Sequence, residues 1–313
     1  MRDGGTAQGE ALAVWTIWGV SAIVVAVPYT RLDPDDLYNV SRGGFAGGLG
    51  RALVLGNFPI ALVALALVLI ALDALPRGAW WAGGPALVMC AVTAWPGVVD
   101  PSDLDARPVN AVPAIGVFIA IALTVAAVRR RGASFASRLP GDLVRVAAAA
   151  ALLVFSLPWL AADLGWYLPG GVFLTDRIVT EGDETLAAVH LGHHHGIDGA
   201  LMVLSAILLS RAEVWGKWLR QVTTACVALM LAYGVVNVAE DVWHEQLVKR
   251  GTFTWRIPSA VVPTLSMVWL VIVGFSLVAY AVLARERRVA TEARPRAVQD
   301  QGQPGCGGGL FRM

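Results

Sequence analysis

The feature that most constrains this fold is a series of apolar runs about as long as the path across a lipid bilayer. A bilayer core of roughly 30 Å needs about 20 helical residues to span it. Because lipid offers no partners to backbone N–H and C=O groups, such runs must form helices. The predicted spans are Ala11–Tyr29, Ala52–Leu75, Trp80–Val99, Ala111–Val128, Val146–Leu164, a helix after the histidine-rich segment, one from Val222, and Pro258–Leu283. The sequence therefore predicts an all-α polytopic membrane bundle of about eight transmembrane helices within residues 1–288.

Composition supports a membrane protein and excludes several other classes. Hydrophobic residues make up 57% of the chain and charged residues only 15%, whereas soluble domains carry about 25% charged residues. The net charge of +1 and the lack of a basic stripe argue against nucleic acid as a partner. Cys90, Cys226 and Cys306 are widely separated, which predicts neither a disulfide framework nor a cysteine zinc site. Lys217 and Lys249 are the lysines among 24 basic residues, a composition typical of a GC-rich bacterial genome.

The distribution of basic residues predicts the orientation of the bundle. With an even number of spans, both termini lie on one side of the membrane. That side carries about twice as many arginines and lysines as the other, so the positive-inside rule places both termini in the cytoplasm. The expected location is the cytoplasmic membrane, with several passes through the lipid bilayer. Residues 289–313 are rich in Arg, Gly, Gln and Pro and are predicted to form a disordered cytoplasmic tail.

The polar residues that interrupt the apolar runs lie in two clusters. The segment Val189–Gly199 holds four of the five histidines, and the segment Glu240–Glu245 holds the fifth. Counting about 1.5 Å per residue from Arg211 and from Arg220 places both clusters about 25–30 Å away, near the outer surface. Ionisable groups at membrane depth are costly and usually face a bundle interior, so they predict a functional site. The matched depth also predicts that the sixth and seventh helices lie side by side.

Imidazole and carboxylate groups are ligands of zinc, iron and copper. The two clusters therefore predict an outward-facing site for one of these transition metals between helices six and seven. The candidate ligands are His190, His193, His194, Asp241 and His244. His190 and His194 are an i, i+4 pair, so they share one face if their segment is helical. The alternative is that the histidines cap a helix at a wet interface and pair with nearby acids.

Carboxylates and arginines near these clusters extend the prediction to an enzyme. A bound metal would lower the pKa of a water, and a carboxylate would act as general base. The candidate catalytic residues are Glu240, Glu245 and Asp198, and the candidate substrate-binding residues are Arg107, Arg177 and Arg256. Arginines on the outer side suit an anionic headgroup. We therefore expect a metal-dependent membrane enzyme that acts on a lipid or lipid-linked substrate.

Two functions of other classes stay open at this point. A transition-metal binding or transport protein would use the same ligands, but transport needs polar groups along the whole path. The inner halves of helices six and seven offer little beyond Ser205, Thr223 and Thr224. A non-catalytic membrane partner would use the clusters to fix helix packing. Haem bound by His194 and His244 is a further option.

One short motif resembles a known family. The order His190-Leu-Gly-His193-His194 is similar to the H-x-x-H-H box of membrane-bound di-iron hydroxylases and desaturases. The family uses several such boxes, usually facing the cytoplasm, whereas this chain has one box and its predicted topology turns it outward. The family's activity is therefore not carried over to this chain.

The acidic loop Asp100–Asn110 has two interpretations. Three carboxylates and one arginine lie within it, as in an ordinary solvated turn. Alternatively, Asp103 or Asp105 folds over the histidine site and contributes a carboxylate to it.

Overall fold

The structure is a computed structural model that describes residues 8–37, 39–95, 97–98, 100, 103–166, 178–181, 184–187, 190–261 and 265–300. Within these residues the chain is a bundle of α-helices with one short β-hairpin. The helices are α1 Gly9–Arg31, α2 Gly44–Leu55, α3 Ala61–Ala74, α4 Trp80–Ala91, α5 Ala111–Arg131, α6 Asp142–Phe155, α7 Leu157–Asp163, α8 His195–Leu209, α9 Lys217–Asp241 and α10 Met267–Asp300. The hairpin pairs β1 Ile178–Glu181 with β2 Glu184–Ala187 in antiparallel register. Short 3₁₀ turns occupy Pro34–Asp36, Arg77–Ala79, Val92–Ala94 and Pro108–Asn110.

Several helices have the length and apolarity to cross a membrane. Five helical stretches qualify among the described residues: Gly9–Arg31, Gly44–Ala74, Pro108–Arg131, Lys217–Val248 and Met267–Arg287. A sixth is present if α6 and α7, which meet at a bend of 51°, form one span. The predicted all-helical architecture with membrane-length helices is confirmed. The count of eight spans, the cytoplasmic termini and the domain boundary at residue 288 stay predictions, and residues 301–313 lie outside the described residues.

Close packing joins α8 to α9. A Cβ on Gly199 would lie 2.6 Å from the carbonyl oxygen of Gly234, and a Cβ on Gly234 would lie 2.6 Å from the carbonyl oxygen of Gly199. Carbon–oxygen contacts of this kind are normally about 3.3 Å or longer, so only glycine fits at both positions. Such small residues let helix backbones approach closely inside membranes. The predicted pairing of the histidine helix with the helix from Val222 is confirmed.

The start of α8 differs from the sequence expectation. Gly192 adopts a φ of +103°, and a Cβ there would lie 2.7 Å from the Tyr29 hydroxyl. The chain turns at this left-handed residue, and α8 begins only at His195. The expectation that His190 and His194 share a helix face is therefore wrong. Both lie in the connection that precedes α8, where Leu191 bridges to Leu37.

Two π-helical segments widen the bundle near its histidine-rich end. One covers Gly56–Ile60 and contains Pro59, which cannot donate a backbone hydrogen bond. The other covers Val242–Val248 and continues α9. Such wide turns occur often at functional sites because they redirect side chains. The second segment carries His244 and Glu245.

The opposite end of the bundle is closed by structural hydrogen bonds. The backbone N–H groups of Trp215 and Gly216 donate to the carboxylate of Asp73, each over 2.8 Å. Asp73 of α3 therefore holds the turn that precedes α9. Trp18 Nε1 donates to the buried Ser205 hydroxyl over 2.9 Å, joining α1 to α8.

Candidate metal centre

A cavity of about 410 Å³ lies where α8 and α9 meet α2 and the connection before α8. All five histidines of the chain line it. Four carboxylates share the lining: Asp198, Glu240, Asp241 and Glu245. The two polar clusters that the sequence separates by about 50 residues thus meet around one cavity.

Three side chains of the lining have the arrangement of metal ligands. His190, His194 and Glu245 are buried, and one donor atom from each lies within 4.8 Å of the other two. The rings of His190 and His194 stack with centroids 4.5 Å apart and planes inclined by 14°. His190 and His194 are two of the predicted ligands, whereas Glu245 was predicted as a catalytic residue.

Hydrogen bonds fix the orientation of the two stacked rings. His190 Nδ1 lies 2.8 Å from the carbonyl oxygen of Leu191. A carbonyl only accepts, so the proton is on Nδ1 and the lone pair of the neutral ring is on Nε2. Burial lowers the pKa of His190 well below its usual range, which keeps the ring neutral. His194 Nε2 donates to the carbonyl oxygen of His190 over 3.1 Å.

Glu245 brings an unsatisfied carboxylate oxygen into the group. Its Oε1 lies 2.8 Å from Lys249 Nζ. Its Oε2 is buried and has no hydrogen-bond partner among the described residues, and the residue is only 5% exposed. A buried carboxylate oxygen without a donor is unfavourable by at least 1–3 kcal/mol, as an order of magnitude, so this oxygen favours a cation beside it.

A second layer of contacts holds the carboxylates of α9 against the histidines. Glu240 Oε1 lies 2.7 Å from His244 Nδ1, and its Oε2 contacts His195 Nε2. Asp241 Oδ1 lies 3.3 Å from His195 Nδ1 and 3.9 Å from His194 Nδ1. Glu240 thereby joins α8 to the π-helical segment, and Asp241 faces the ligand group. The predicted ligand roles of Asp241 and His244 stay predictions.

His193 occupies a different position from its neighbours. Its Nδ1 lies 2.8 Å from Asp163 and its Nε2 lies 2.6 Å from Asp198. Its backbone N–H donates to the Tyr29 hydroxyl over 3.0 Å. Burial opposes protonation, but the two carboxylates outweigh it and raise the pKa of His193 to about 10. His193 therefore links α7 to Asp198, and its predicted role as a ligand stays a prediction.

The three arginines predicted to bind substrate lie in different places. Arg256 lines the cavity. Arg107 is not in the lining, and its Nη1 lies 3.4 Å from Asp100. Arg177 lies outside the described residues. Sequence reasoning missed Arg51, which also lines the cavity. In the sequence Arg51 resembles an ordinary arginine beside an apolar run, so local pattern offered no signal for its place in the cavity.

The acidic loop does not bring a carboxylate to the histidines in the described part of the chain. The hydroxyl and backbone N–H of Ser41 donate to Asp105, the latter over 3.3 Å. Asp103 accepts from the backbone N–H of Asp105 over 3.1 Å. It is Leu104 that lines the cavity. The loop therefore contributes an apolar contact and a locally bonded turn.

Comparison with known proteins does not assign the chain to a family. No protein-family model, no curated protein and no solved structure matches the chain. The resemblance to the di-iron box stays limited to one short motif. In the structure that motif is divided, because His193 is directed to Asp163 and Asp198 while His190 and His194 stack with each other.

Proposed function

We propose that this chain is a multi-pass protein of the cytoplasmic membrane that binds one transition-metal ion through His190, His194 and Glu245. We further propose that it is an enzyme that hydrolyses a lipid or lipid-linked substrate. The observation that carries the proposal is the convergence of these three buried donors within 4.8 Å. Tetrahedral zinc ligands stand about 3.4 Å apart, so modest side-chain movement closes the group. Two imidazoles and one carboxylate are a ligand set of catalytic zinc, and iron and copper are tested beside zinc.

The burial of the three donors supports metal binding over helix packing alone. The buried Glu245 carboxylate lies close to two stacked imidazoles, and its Oε2 has no hydrogen-bond partner among the described residues. This is a poor packing arrangement but a suitable ligand arrangement. A polar cluster kept for packing would be expected to satisfy its own members. The contacts of Glu240 and Asp241 with the histidines resemble the outer-shell carboxylates that orient metal-bound imidazoles.

The cavity also holds a suitable general base. With three protein ligands, a catalytic metal keeps one position for a water and lowers its pKa. Asp198 lines the cavity, its side chain is 22% exposed, and His193 holds it in place. In the proposed reaction the water oxygen bonds to the electrophilic atom of the substrate, and Asp198 takes the water proton. The departing group takes the bond electrons and then receives that proton from Asp198. Glu240 is the weaker candidate because His195 and His244 contact both of its oxygens.

Elemental analysis of the detergent-purified protein tests the metal. We expect close to one zinc, iron or copper per chain in the wild type and less than a tenth of that in His194→Ala and Glu245→Gln. Asp103→Asn is the matched control, because it removes an exposed carboxylate away from the cavity and should keep full metal. Full metal content in both site variants, or none in the wild type after incubation with each ion, would exclude the proposed centre.

Transport of the metal is the alternative use of the same ligands. Below the cavity, Ser205 Oγ donates to the Leu201 carbonyl over 2.8 Å and accepts from Trp18. Thr224 Oγ1 donates to the Arg220 carbonyl over 2.7 Å. Hydroxyls bonded in this way to their own helix give a continuing polar path little support. Metal flux into liposomes that is lost in His194→Ala would favour transport, and bound metal without flux would favour the enzyme.

A further inference from the structure

Arg51 is the unexplained charge of the cavity. It lies on α2 in the membrane-length stretch Gly44–Ala74 and lines the cavity beside the histidines. Only 8% of the residue is exposed. Its guanidinium carbon lies 5.6 Å from the centre of the Tyr29 ring, and the hydroxyl of that tyrosine accepts the backbone N–H of His193. The ring that positions Arg51 is thus bonded to the histidine segment.

The guanidinium lacks an anionic partner in the part of the chain that the structure describes. Its Nε is buried without a hydrogen-bond partner, and none of the ion pairs among the described residues includes Arg51. Contact with the Tyr29 ring compensates only a small part of the free energy that burial of a charge costs. Buried charges are otherwise paired, so an unpaired arginine that faces a cavity indicates an anionic ligand.

The remaining lining indicates what kind of anion fits. Lys249 and Arg256 also face the cavity. A divalent ion at the proposed centre would add to these three cations and offset the four carboxylates. Next to Arg51 the wall is apolar, formed by Val54, Leu55, Phe58, Pro59 and Leu104. Lys249 is already paired with Glu245. The cavity therefore offers the Arg51 guanidinium for an anion and an apolar wall for a hydrocarbon segment.

We propose that Arg51 binds the phosphate group of an amphipathic substrate, so that the substrate class of the cavity is a phosphate-bearing lipid or lipid-linked phosphate. This inference rests on the proposed function and names its substrate. Guanidinium groups bind phosphate oxygens in a bidentate manner, which one ammonium cannot do. The phosphate lies beside the ligand group and the hydrocarbon lies along the wall of α2.

Calorimetric titration of the purified protein in detergent tests the inference. The probes are inorganic phosphate, short-chain phosphatidic acid and short-chain phosphatidylcholine. We expect Arg51→Gln to weaken binding of phosphatidic acid by about tenfold or more. Arg51→Lys should lie between it and the wild type. Arg42→Gln is the matched control, because Arg42 is an exposed arginine just before α2 and its loss should leave binding unchanged.

Each result decides one part of the inference. Tighter binding of phosphatidic acid than of phosphatidylcholine, lost in Arg51→Gln, supports it. Binding of inorganic phosphate without a preference for phosphatidic acid keeps the role of Arg51 but overturns the amphipathic substrate. Equal binding by Arg51→Gln and wild type, or no phosphate binding by the wild type, overturns the role of Arg51.

A second measurement uses the wild type and does not depend on the folding of a variant. Phenylglyoxal is small enough to enter the cavity that Arg51 lines, and mass spectrometry locates the arginines that it modifies. Phosphatidic acid should protect Arg51 and leave Arg42 reactive, and unchanged modification of Arg51 would overturn the inference. Metal content is measured in the same samples. Phosphate binding by Arg51 without metal would refute the proposed metal enzyme alone, whereas full metal without phosphate binding would refute this inference alone.

Discussion

Gly199→Ala should damage both the stability of the bundle and the candidate metal centre. The added methyl group would lie 2.6 Å from the carbonyl oxygen of Gly234. An ordinary carbon–oxygen contact is about 3.3 Å or longer, so α8 and α9 must separate by about 0.7 Å at this point. Inserting a methyl into such a packed position costs about 1–3 kcal/mol of unfolding free energy.

The same separation should reach the metal ligands. His194 immediately precedes α8, and Glu245 lies in the π-helical segment that continues α9. The side chains must then move further to reach one ion, so metal affinity should fall by about tenfold or more. Gly199 is not itself part of the cavity lining, although Asp198 beside it is, so the substitution would act on the ligands through helix spacing.

The assay compares thermal unfolding in detergent and metal content in Gly199→Ala and in a control. Gly19→Ala is the matched control, because a Cβ on Gly19 of α1 meets nothing within 4 Å. Replacing an unhindered helical glycine should stabilise the protein by about 0.4–1 kcal/mol. If Gly199→Ala unfolds like Gly19→Ala and keeps full metal, the close contact of α8 and α9 does not hold the site together.

Three further predictions follow from the site. Asp198→Asn should keep the metal and lower the rate of lipid hydrolysis by about 10²-fold or more, since it removes the proposed general base. Loss of metal in this variant would instead make Asp198 a ligand. Asp163→Asn should leave metal content unchanged and reduce activity less than Asp198→Asn does, because Asp163 contacts Asp198 only through His193. Equal loss of activity in the two variants would contradict this prediction. Removal of metal with a chelator should lower the free energy of unfolding of the wild type by about 2.7 kcal/mol if the free metal concentration had been 100 times its Kd. Thermal unfolding measures this change, and His194→Ala should show none. An equal change in that variant would place the metal elsewhere.

Much of the architecture was predictable from local pattern. Apolar runs of bilayer length are sufficient to predict helices, because lipid offers the backbone no other partners. Helix rise alone placed the two polar clusters at one depth, and the structure brings His195 into contact with Glu240 and Asp241. The membership of His190 and His194 in one cluster also followed from sequence.

The roles within the cluster required the tertiary structure. The turn at Gly192 depends on its contact with Tyr29, which lies more than 160 residues earlier in the chain. Arg51 resembles an ordinary boundary arginine in the sequence, and only its burial beside the histidines marks it as part of the cavity.

The sequence by itself determined which segments become apolar helices and which ionisable side chains lie at similar depths, because hydrophobic periodicity and helix rise are local properties. The tertiary structure decided which donors converge. Glu245 joins His190 and His194 because a π-helical segment redirects it. His193 instead faces Asp163 and Asp198. The donor atoms converge only if the helices have the right spacing and rotation, with errors smaller than the distance between donors. Contacts between distant parts of the chain set that spacing and rotation.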